Sequence, residues 1–266
     1  MSVSMSPVIF SGDAERDYRH CRNLRDVTFL SPTGIYSLWP MCERFVIAPQ
    51  TAVEHEFPLL HAWWRFEPSF NVSTRNNIPV VRLHDGEREG VMMRWGLVPD
   101  WAEGDERKAC TTHASTDELD RNKAFSGAWW RGQRCILPLS GFYGWQLTPN
   151  QYLQPYFARL VNRSVFGVAA IWDRTINKDE DDVIEGCAVL TVPPNDLLAD
   201  VHNTAQRMPA ILHRDEYEQW LRGPTARARA LLRTYPQDRM VVHAVSPRIN
   251  SLKYNDEQLI KPVLFG

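Results

Sequence analysis

The sequence predicts an α+β domain built mainly from β-strands, with a few helices outside them. Runs of β-branched and aromatic residues recur along the chain and are separated by turn residues. Helical patterns are fewer and shorter. Apolar residues make up 44% of the chain and charged residues 23%, as in ordinary globular proteins. A strand-rich chain with peripheral helices is typical of the α+β class.

The strands are predicted from apolar runs that end at turn signals. His84-Asp85-Gly86 is such a signal, so the runs on either side of it are expected to form a hairpin. A second turn is predicted at Asn162-Arg163-Ser164. The predicted strands are 78–83, 90–95, 134–138, 141–145, 156–160, 165–172, 187–192 and 240–245.

The helices are predicted from apolar residues at helical spacing and from residues that start or stop a helix. Asp215 starts one such pattern, and Gly223-Pro224 stops it. The pattern that begins at Asp117 has an imperfect apolar stripe. The predicted helices are 117–131, 195–200, 215–222 and 225–234.

Residues 1–40 differ from the rest of the chain, since they contain Ser, Pro and interleaved opposite charges. We expect either a solvated, disordered leader or an incorrectly assigned start, with Met41 as the true first residue. Residues 41–266 are then expected to form one domain.

Composition and motifs restrict the function classes. No GxGxxG, Walker, HExxH or GxSxG motif occurs, which argues against those enzyme classes. The five cysteines, without a secretory segment, indicate reduced thiols and a cytoplasmic protein. No apolar run approaches the roughly 18 residues of a membrane span. The net charge is −2, so binding of nucleic acid would need a local basic face.

A series of short segments carries a family resemblance. The segments are 41–45 (MCERF), 70–72 (FNV), 79–82 (PVVR), 94–101 (RWGLVPDW), 134–138 (RCILP), 140–145 (SGFYGW), 201–204 (VHNT), 207–212 (RMPAIL) and 245–250 (VSPRIN). In this order they resemble the SOS response-associated peptidase family, whose members are abasic-site processing proteins. The resemblance implies antiparallel β-sheets that form a barrel-like core with peripheral helices, a basic cleft for single-stranded DNA, and no cofactor or metal. It also implies a monomer without membrane contact, located in the cytoplasm and, in a bacterium, at the nucleoid.

The resemblance makes Cys42 the reactive residue, as an N-terminal cysteine after removal of Met41. Its α-amine, with a pKa of about 7.7–8.0 when free, can form a Schiff base with the C1′ aldehyde of an abasic site, and its thiol can then close a thiazolidine. A peptide nitrogen is not nucleophilic, so Cys42 cannot react in this way while residues precede it. Considered without its motif, Cys42 would be interpreted as a small buried apolar residue.

The resemblance assigns roles to seven further residues. His202 and His113 are the remaining predicted catalytic residues, and His202 is expected to move protons during Schiff-base formation. The predicted DNA-binding residues are Arg44, Asn71, Trp101, Thr191 and Arg207. Each also has an ordinary structural interpretation: surface ion pairs for the arginines, turn or strand hydrogen bonds for Asn71 and Thr191, and core packing for Trp101.

The sequence departs from the family at three functional positions. His113 and Ser115 stand where the family has Asn and Arg, and Gly144 stands where it has a catalytic Glu. Three outcomes stay open: slow crosslinking, substitution by another carboxylate such as Glu43, or lost activity. Loss of the Arg at Ser115 is expected to remove one phosphate contact.

Three functions are therefore predicted as competitors. The first is covalent linkage to abasic single-stranded DNA, with peptidase or lyase-like activity that includes removal of the chain's own leader. The second is a thiol hydrolase that uses Cys42 and His202. The third is a binder of single-stranded DNA without catalysis, which Gly144 permits.

Overall fold

The computed structural model describes residues 44–99, 111–177 and 182–263, which form two β-sheets. The first sheet consists of β1 (Phe45–Ile47), β3 (Ser69–Val72), β8 (Gly141–Leu147), β9 (Leu153–Leu160) and β13 (Met240–Ala244). The second consists of β2 (His61–Ala62), β4 (Asn77–His84), β5 (Glu87–Trp95), β6 (His113–Ser115), β7 (Arg134–Leu139), β10 (Phe166–Asn177), β11 (Asp182–Val192) and β12 (Met208–Pro209). The predicted strands are thereby confirmed, several with longer bounds.

Five strands of the second sheet close into a barrel. Antiparallel pairing joins β5 to β4, β4 to β7, β7 to β10 and β10 to β11. The ring is completed by a short parallel pairing between β11 and β5, where Gly186 lies opposite Arg94 and Cys187 opposite Trp95. The predicted α+β fold with a barrel-like core is confirmed. Its sheets are mainly antiparallel, and the parallel pairings are those of β11 with β5 and β6 and of β2 with β5.

The closure of the barrel depends on a close approach of two backbones at Gly186. A Cβ atom at this position would lie 2.4 Å from the carbonyl oxygen of Gly96 and 3.3 Å from the Cα of Leu97. The amide of Gly96 donates a hydrogen bond of 2.8 Å to the carbonyl oxygen of Cys187. Glycine is therefore the residue that allows the last pairing to form.

The five-stranded sheet has a different core on each face. Phe45 and Phe142 point into the main core, which is shared with the barrel. The neighbouring residues Val46 and Tyr143 point to the opposite face, as the alternation of a β-strand requires. There they form a small second core with Phe157 and the residues of the C-terminal segment, Val245, Ile249 and Leu259. This second core attaches the C-terminal segment to the outside of the sheet.

Within the described ranges, five short α-helices lie outside the sheets: α1 (Gln50–Glu56), α2 (Ser126–Trp130), α3 (Asp196–Val201), α4 (Tyr217–Arg222) and α5 (Thr225–Ala230). The predicted helix over 117–131 is wrong in its first half, because only α2 is helical. Side chains compete with the helical backbone there: Ser115 Oγ accepts from the Asp117 amide and Asn122 Oδ1 from the Ala124 amide. The helix predicted over 225–234 ends at Ala230. No helix within the described ranges is long and apolar enough to cross a membrane.

Candidate active site

Two of the predicted site residues, Cys42 and Trp101, lie outside the described residues. The described chain starts at Arg44, whose side chain is buried. Its carbonyl oxygen accepts a hydrogen bond of 3.1 Å from the amide of Tyr143. The chain that follows Cys42 therefore enters the five-stranded sheet beside β8.

The edge of β8 is completed by side chains from the segment that follows α3. β1 pairs with β8 only at Gly141 and Phe142, so the later amides on this edge need other acceptors. The amide of Trp145 donates to Nδ1 of His202 at 3.1 Å, and the amide of Leu147 donates to Oδ1 of Asn203 at 2.9 Å. Nδ2 of Asn203 donates back to the Leu147 carbonyl oxygen at 3.1 Å. His202 and Asn203 thus replace a neighbouring strand.

Gly144 lies directly against the imidazole of His202. A Cβ at position 144 would lie 3.1 Å from Cβ of His202, 3.2 Å from Cγ and 3.3 Å from Nδ1. Any larger residue would require the ring to move by a few tenths of an ångström. Gly144 therefore allows His202 to pack on the backbone of β8, and position 144 faces the histidine predicted to be catalytic.

The hydrogen bond from Trp145 determines which nitrogen of His202 carries the proton. Nδ1 accepts, so the neutral ring has its hydrogen on Nε2. Nε2 is buried and has no hydrogen-bond partner among the residues that the structure describes. A buried donor without a partner is costly, and a catalytic role is one reason for which such a group is kept. Nε2–H of His202 is therefore an oriented donor that these residues leave available for a hydrogen bond.

Burial lowers the pKa of His202 to about 4, because the positive charge of the imidazolium would be desolvated. His202 is therefore neutral at pH 7. The structure thus favours a role as a hydrogen-bond donor rather than as a positively charged general acid.

A second group of predicted residues lies where β11 meets β6 and β12. Arg207 donates to the carbonyl oxygen of Thr191, and its Nε donates to Thr191 Oγ1 at 3.3 Å. Its Nη1 lies 2.8 Å from Oδ2 of Asp117 in an ion pair. Ser115 Oγ donates to the same carboxylate oxygen at 3.2 Å. Thr191 thus positions the guanidinium of Arg207. The exposed carboxylate of Asp117 pairs with Nη1 of the same guanidinium.

His113 is in contact with both β11 and β1. It lies in β6 opposite Val189 of β11. Its ring makes an edge contact with Phe45, at 6.3 Å between centroids, and another with Trp95 at 5.5 Å. Phe45 follows Arg44 directly, so His113 lies beside the point where the chain enters the first sheet.

Asn71 holds the C-terminal segment. Its Nδ2 lies 2.9 Å from the carbonyl oxygen of Tyr254, 3.1 Å from that of Ser251 and 3.4 Å from that of Ile249. The contacts of Nδ2 therefore agree with the alternative interpretation, in which Asn71 is a structural hydrogen-bonding residue. Oδ1 is buried, with no partner in the described part of the chain.

Three contributors to the site were not predicted from the sequence. The Trp145 amide was missed because a main-chain donor has no residue-type signal. Asn203 follows His202 in the motif that carried the resemblance, so its position was a usable signal. The pairing of Asp117 with Arg207 joins residues far apart in the chain, and the sequence contains no indication of it.

The lowered pKa of His202 predicts that the protein loses stability in mild acid. The unfolded chain, with a histidine pKa of about 6.5, binds a proton that the folded protein excludes until about pH 4. The contribution of His202 is therefore complete above about pH 6.5 and falls as the pH drops towards 4. Between about pH 7.5 and pH 5 we expect a loss of about 2 kcal/mol, measured by urea unfolding. His202→Gln should lack this part of the pH dependence, and equal slopes for both proteins would contradict the assignment.

Comparison with known proteins identifies relatives over most of the described chain. The sequence profile of the SOS response associated peptidase (SRAP) family matches residues 41–252. Abasic site processing protein YoqW of Bacillus subtilis (strain 168) is 29% identical over 200 residues, which cover 74% of this chain and 87% of YoqW. Abasic site processing protein HMCES of Pongo abelii is 30% identical over 237 residues, which cover 75% of this chain and 66% of HMCES.

Two solved structures have a similar fold. A protein from Bacteroides thetaiotaomicron matches with a TM-score of 0.65 and 27% identity, over 71% of this chain and 82% of that one. A protein from Bordetella bronchiseptica matches with a TM-score of 0.66 and 25% identity, over 76% of this chain and 98% of that one.

Proposed function

This chain belongs to the SOS response associated peptidase family, and on that premise we propose that it is a DNA-processing enzyme that links covalently to abasic sites through Cys42. The relatives named as abasic site processing proteins support this proposal. The structural observation that carries it is the buried Nε2–H of His202, which finds no partner within the described ranges and lies at the edge of β8 beside the strand entry at Arg44. Two peptide units separate Cys42 from Arg44, so covalent geometry keeps the two Cα atoms within about 7 Å of each other.

The proposed reaction has two steps and releases one water molecule. The neutral α-amine of Cys42 adds to the C1′ aldehyde of the ring-opened sugar, and the carbinolamine loses water to give a Schiff base. The thiolate then forms a bond to C1′ while the imine nitrogen takes a proton, which closes the five-membered thiazolidine. Nε2–H of His202 donates a hydrogen bond to the departing oxygen and stabilises its negative charge.

The absence of a side chain at Gly144 affects the rate in this proposal. No carboxylate at this position can transfer the proton that the departing oxygen needs, and His202 is neutral at pH 7. The proton must then come from water or from another group, of which Glu43 is the nearest acid to Cys42 in the sequence. We therefore expect the crosslink to form slowly.

The test is a denaturing gel. Protein that begins at Cys42, mixed with single-stranded DNA whose uracil has been excised, should give a band that survives denaturation. Its intact mass should equal protein plus DNA minus one water. Undamaged DNA of the same sequence is the control and should give no such band.

A second candidate function is binding of single-stranded DNA without catalysis, which Gly144 favours because it supplies no proton donor. In that case the denaturation-resistant band should be absent, while a gel-shift or fluorescence measurement still detects binding. The denaturing gel and the binding measurement, made on the same sample, thus distinguish the two functions.

Asp117 is predicted to weaken the binding of DNA. Its carboxylate pairs with Arg207, and this contact lowers the pKa of the carboxyl, so the pair is formed at neutral pH. Asp117→Asn should free Arg207 for a phosphate and raise the affinity for single-stranded DNA several-fold at low salt, with a slope against log salt that is steeper by about 0.7.

The matched control is Asp173→Asn, which breaks the ion pair of Asp173 with Arg131 on the barrel. Fluorescence anisotropy over a salt series measures both variants. An affinity of Asp117→Asn equal to that of the unaltered protein would show that Arg207 does not contact a phosphate.

A further inference from the structure

The segment from Arg248 to Tyr254, which we name the tail loop, is anchored on the outer face of the five-stranded sheet, next to Trp145 of β8. Ile249 is buried in the small second core, and Nδ2 of Asn71 binds carbonyl oxygens on both sides of the loop. Nε1 of Trp145 donates to Oδ1 of Asn250 at 2.9 Å. The residue whose amide fixes His202 therefore also contacts the tail loop.

The tip of the tail loop exposes side chains that are usually buried. Leu252 is 62% exposed and Tyr254 is 39% exposed, and Lys253 between them is exposed as well. The contacts of Asn71 leave these side chains outside, since they bind only the main chain. The side chains of Leu252 and Tyr254 are therefore accessible to another molecule.

The charges around the tip favour an anionic partner. The guanidinium of Arg248 lies 4.2 Å from the centroid of the Tyr254 ring. Arg248 also pairs with Asp256 at 3.1 Å, so this carboxylate offsets part of its charge. Lys253 adds a second positive charge between the two exposed apolar residues. Cations interleaved with an aromatic ring match the backbone and the bases of single-stranded nucleic acid.

We propose that the tail loop binds the unpaired nucleotides that flank the reacting sugar, with a base on the Arg248–Tyr254 pair and a phosphate at Lys253. This inference rests on the proposed function, because the contact from Trp145 to Asn250 connects the tail loop to the site of His202. The tail loop would hold the strand through its undamaged neighbours, independently of the lesion.

The test is fluorescence anisotropy with the full protein and two labelled oligonucleotides. One contains a tetrahydrofuran abasic analogue, which cannot form a Schiff base, and the other is undamaged DNA of the same sequence. Tyr254→Ala should weaken binding of both by about tenfold, the effect expected for one stacked base. Tyr254→Phe keeps the ring and should bind like the unaltered protein. Leu252→Ala should lose several-fold in affinity.

The chain provides matched controls. Leu60 is 65% exposed and lies just before β2, at the edge of the other sheet, while Tyr152 is 47% exposed in the turn after β8. Leu60→Ala and Tyr152→Ala should leave the affinity unchanged. Thermal unfolding of every variant shows whether the fold is kept.

The outcomes separate the two proposals. If Tyr254→Ala binds both oligonucleotides as well as the unaltered protein does, or if the unaltered protein binds neither, the role of the tail loop is refuted. If the loop variants lose affinity as expected but no denaturation-resistant adduct forms with abasic DNA, the covalent function fails and the binding surface stands.

Discussion

A chain that keeps residues 1–41 should form no adduct with abasic DNA, although its Cys42 thiol is intact. The α-amine of Cys42 is then part of a peptide bond and cannot add to an aldehyde. The chain that begins at Cys42 has both groups on one residue and should form the adduct. The measurement is the denaturing gel described above, with intact mass to establish the N-terminus of each sample.

Cys42→Ser is the complementary variant, because it keeps the amine and replaces the thiol. A Schiff base can still form, but the hydroxyl is a poorer nucleophile and no stable thiazolidine closes. We expect a labile adduct that only borohydride reduction can trap. A stable adduct from the chain with residues 1–41 would exclude the thiazolidine mechanism.

The same pair of samples also tests the thiol hydrolase alternative. A hydrolase that uses Cys42 with His202 needs the thiol but not the amine. The chain with residues 1–41 would then still cleave a peptide substrate, whereas Cys42→Ser would not. Loss of the stable DNA adduct in both samples favours the reaction with the sugar aldehyde, because that reaction needs the amine as well as the thiol.

Gly186→Ala is expected to destabilise the protein by about 3 kcal/mol, since overpacking against fixed backbone costs up to about this amount. The added Cβ would lie 2.4 Å from the carbonyl oxygen of Gly96, and neither backbone can rotate away as a side chain would. Either β11 or the segment after β5 must shift, and the pairing that closes the barrel weakens. For a chain of this size the melting temperature should fall by about 9 °C.

The control is Gly127→Ala in α2. A Cβ there would meet Nη1 of Arg131 at 3.0 Å, which is the end of a flexible side chain. Alanine also favours a helix over glycine by up to about 1 kcal/mol, so this variant should be neutral or slightly stabilised. Equal melting temperatures for the two variants would show that the barrel does not depend on Gly186.

The sequence predicted those parts of the fold that local signals determine. The hairpin of β4 and β5 follows from two apolar runs and the turn between them, where Asp85 and Gly86 have φ values of 48° and 81°. The parallel pairing of β5 with β11 was not predicted, because it joins residues about ninety positions apart and depends on a close approach rather than on residue pattern. The helix over 117–131 failed because local side-chain hydrogen bonds outweighed a weak apolar stripe.

For the candidate site, the sequence selected residues but not the contacts between them. The resemblance selected His202, Arg207 and Thr191, and the structure places Arg207 on Thr191. The resemblance could not show that Asp117 forms an ion pair with Arg207, or that the proton of the neutral His202 ring lies on Nε2. Both properties depend on distances between segments that the sequence does not place relative to each other. The predicted roles of all the site residues stay predictions, and Cys42 and Trp101 in addition lie outside the described ranges.

The hydrogen bond from the Trp145 amide to His202 comes from the main chain, and this gives the site an unusual tolerance of mutation. Nineteen of the genetically encoded amino acids supply that N–H, and only proline lacks it. Evolutionary drift at position 145 therefore leaves the tautomer of the buried ring unchanged. The orientation of the Nε2–H donor of His202 therefore does not depend on which side chain, other than proline, stands at position 145.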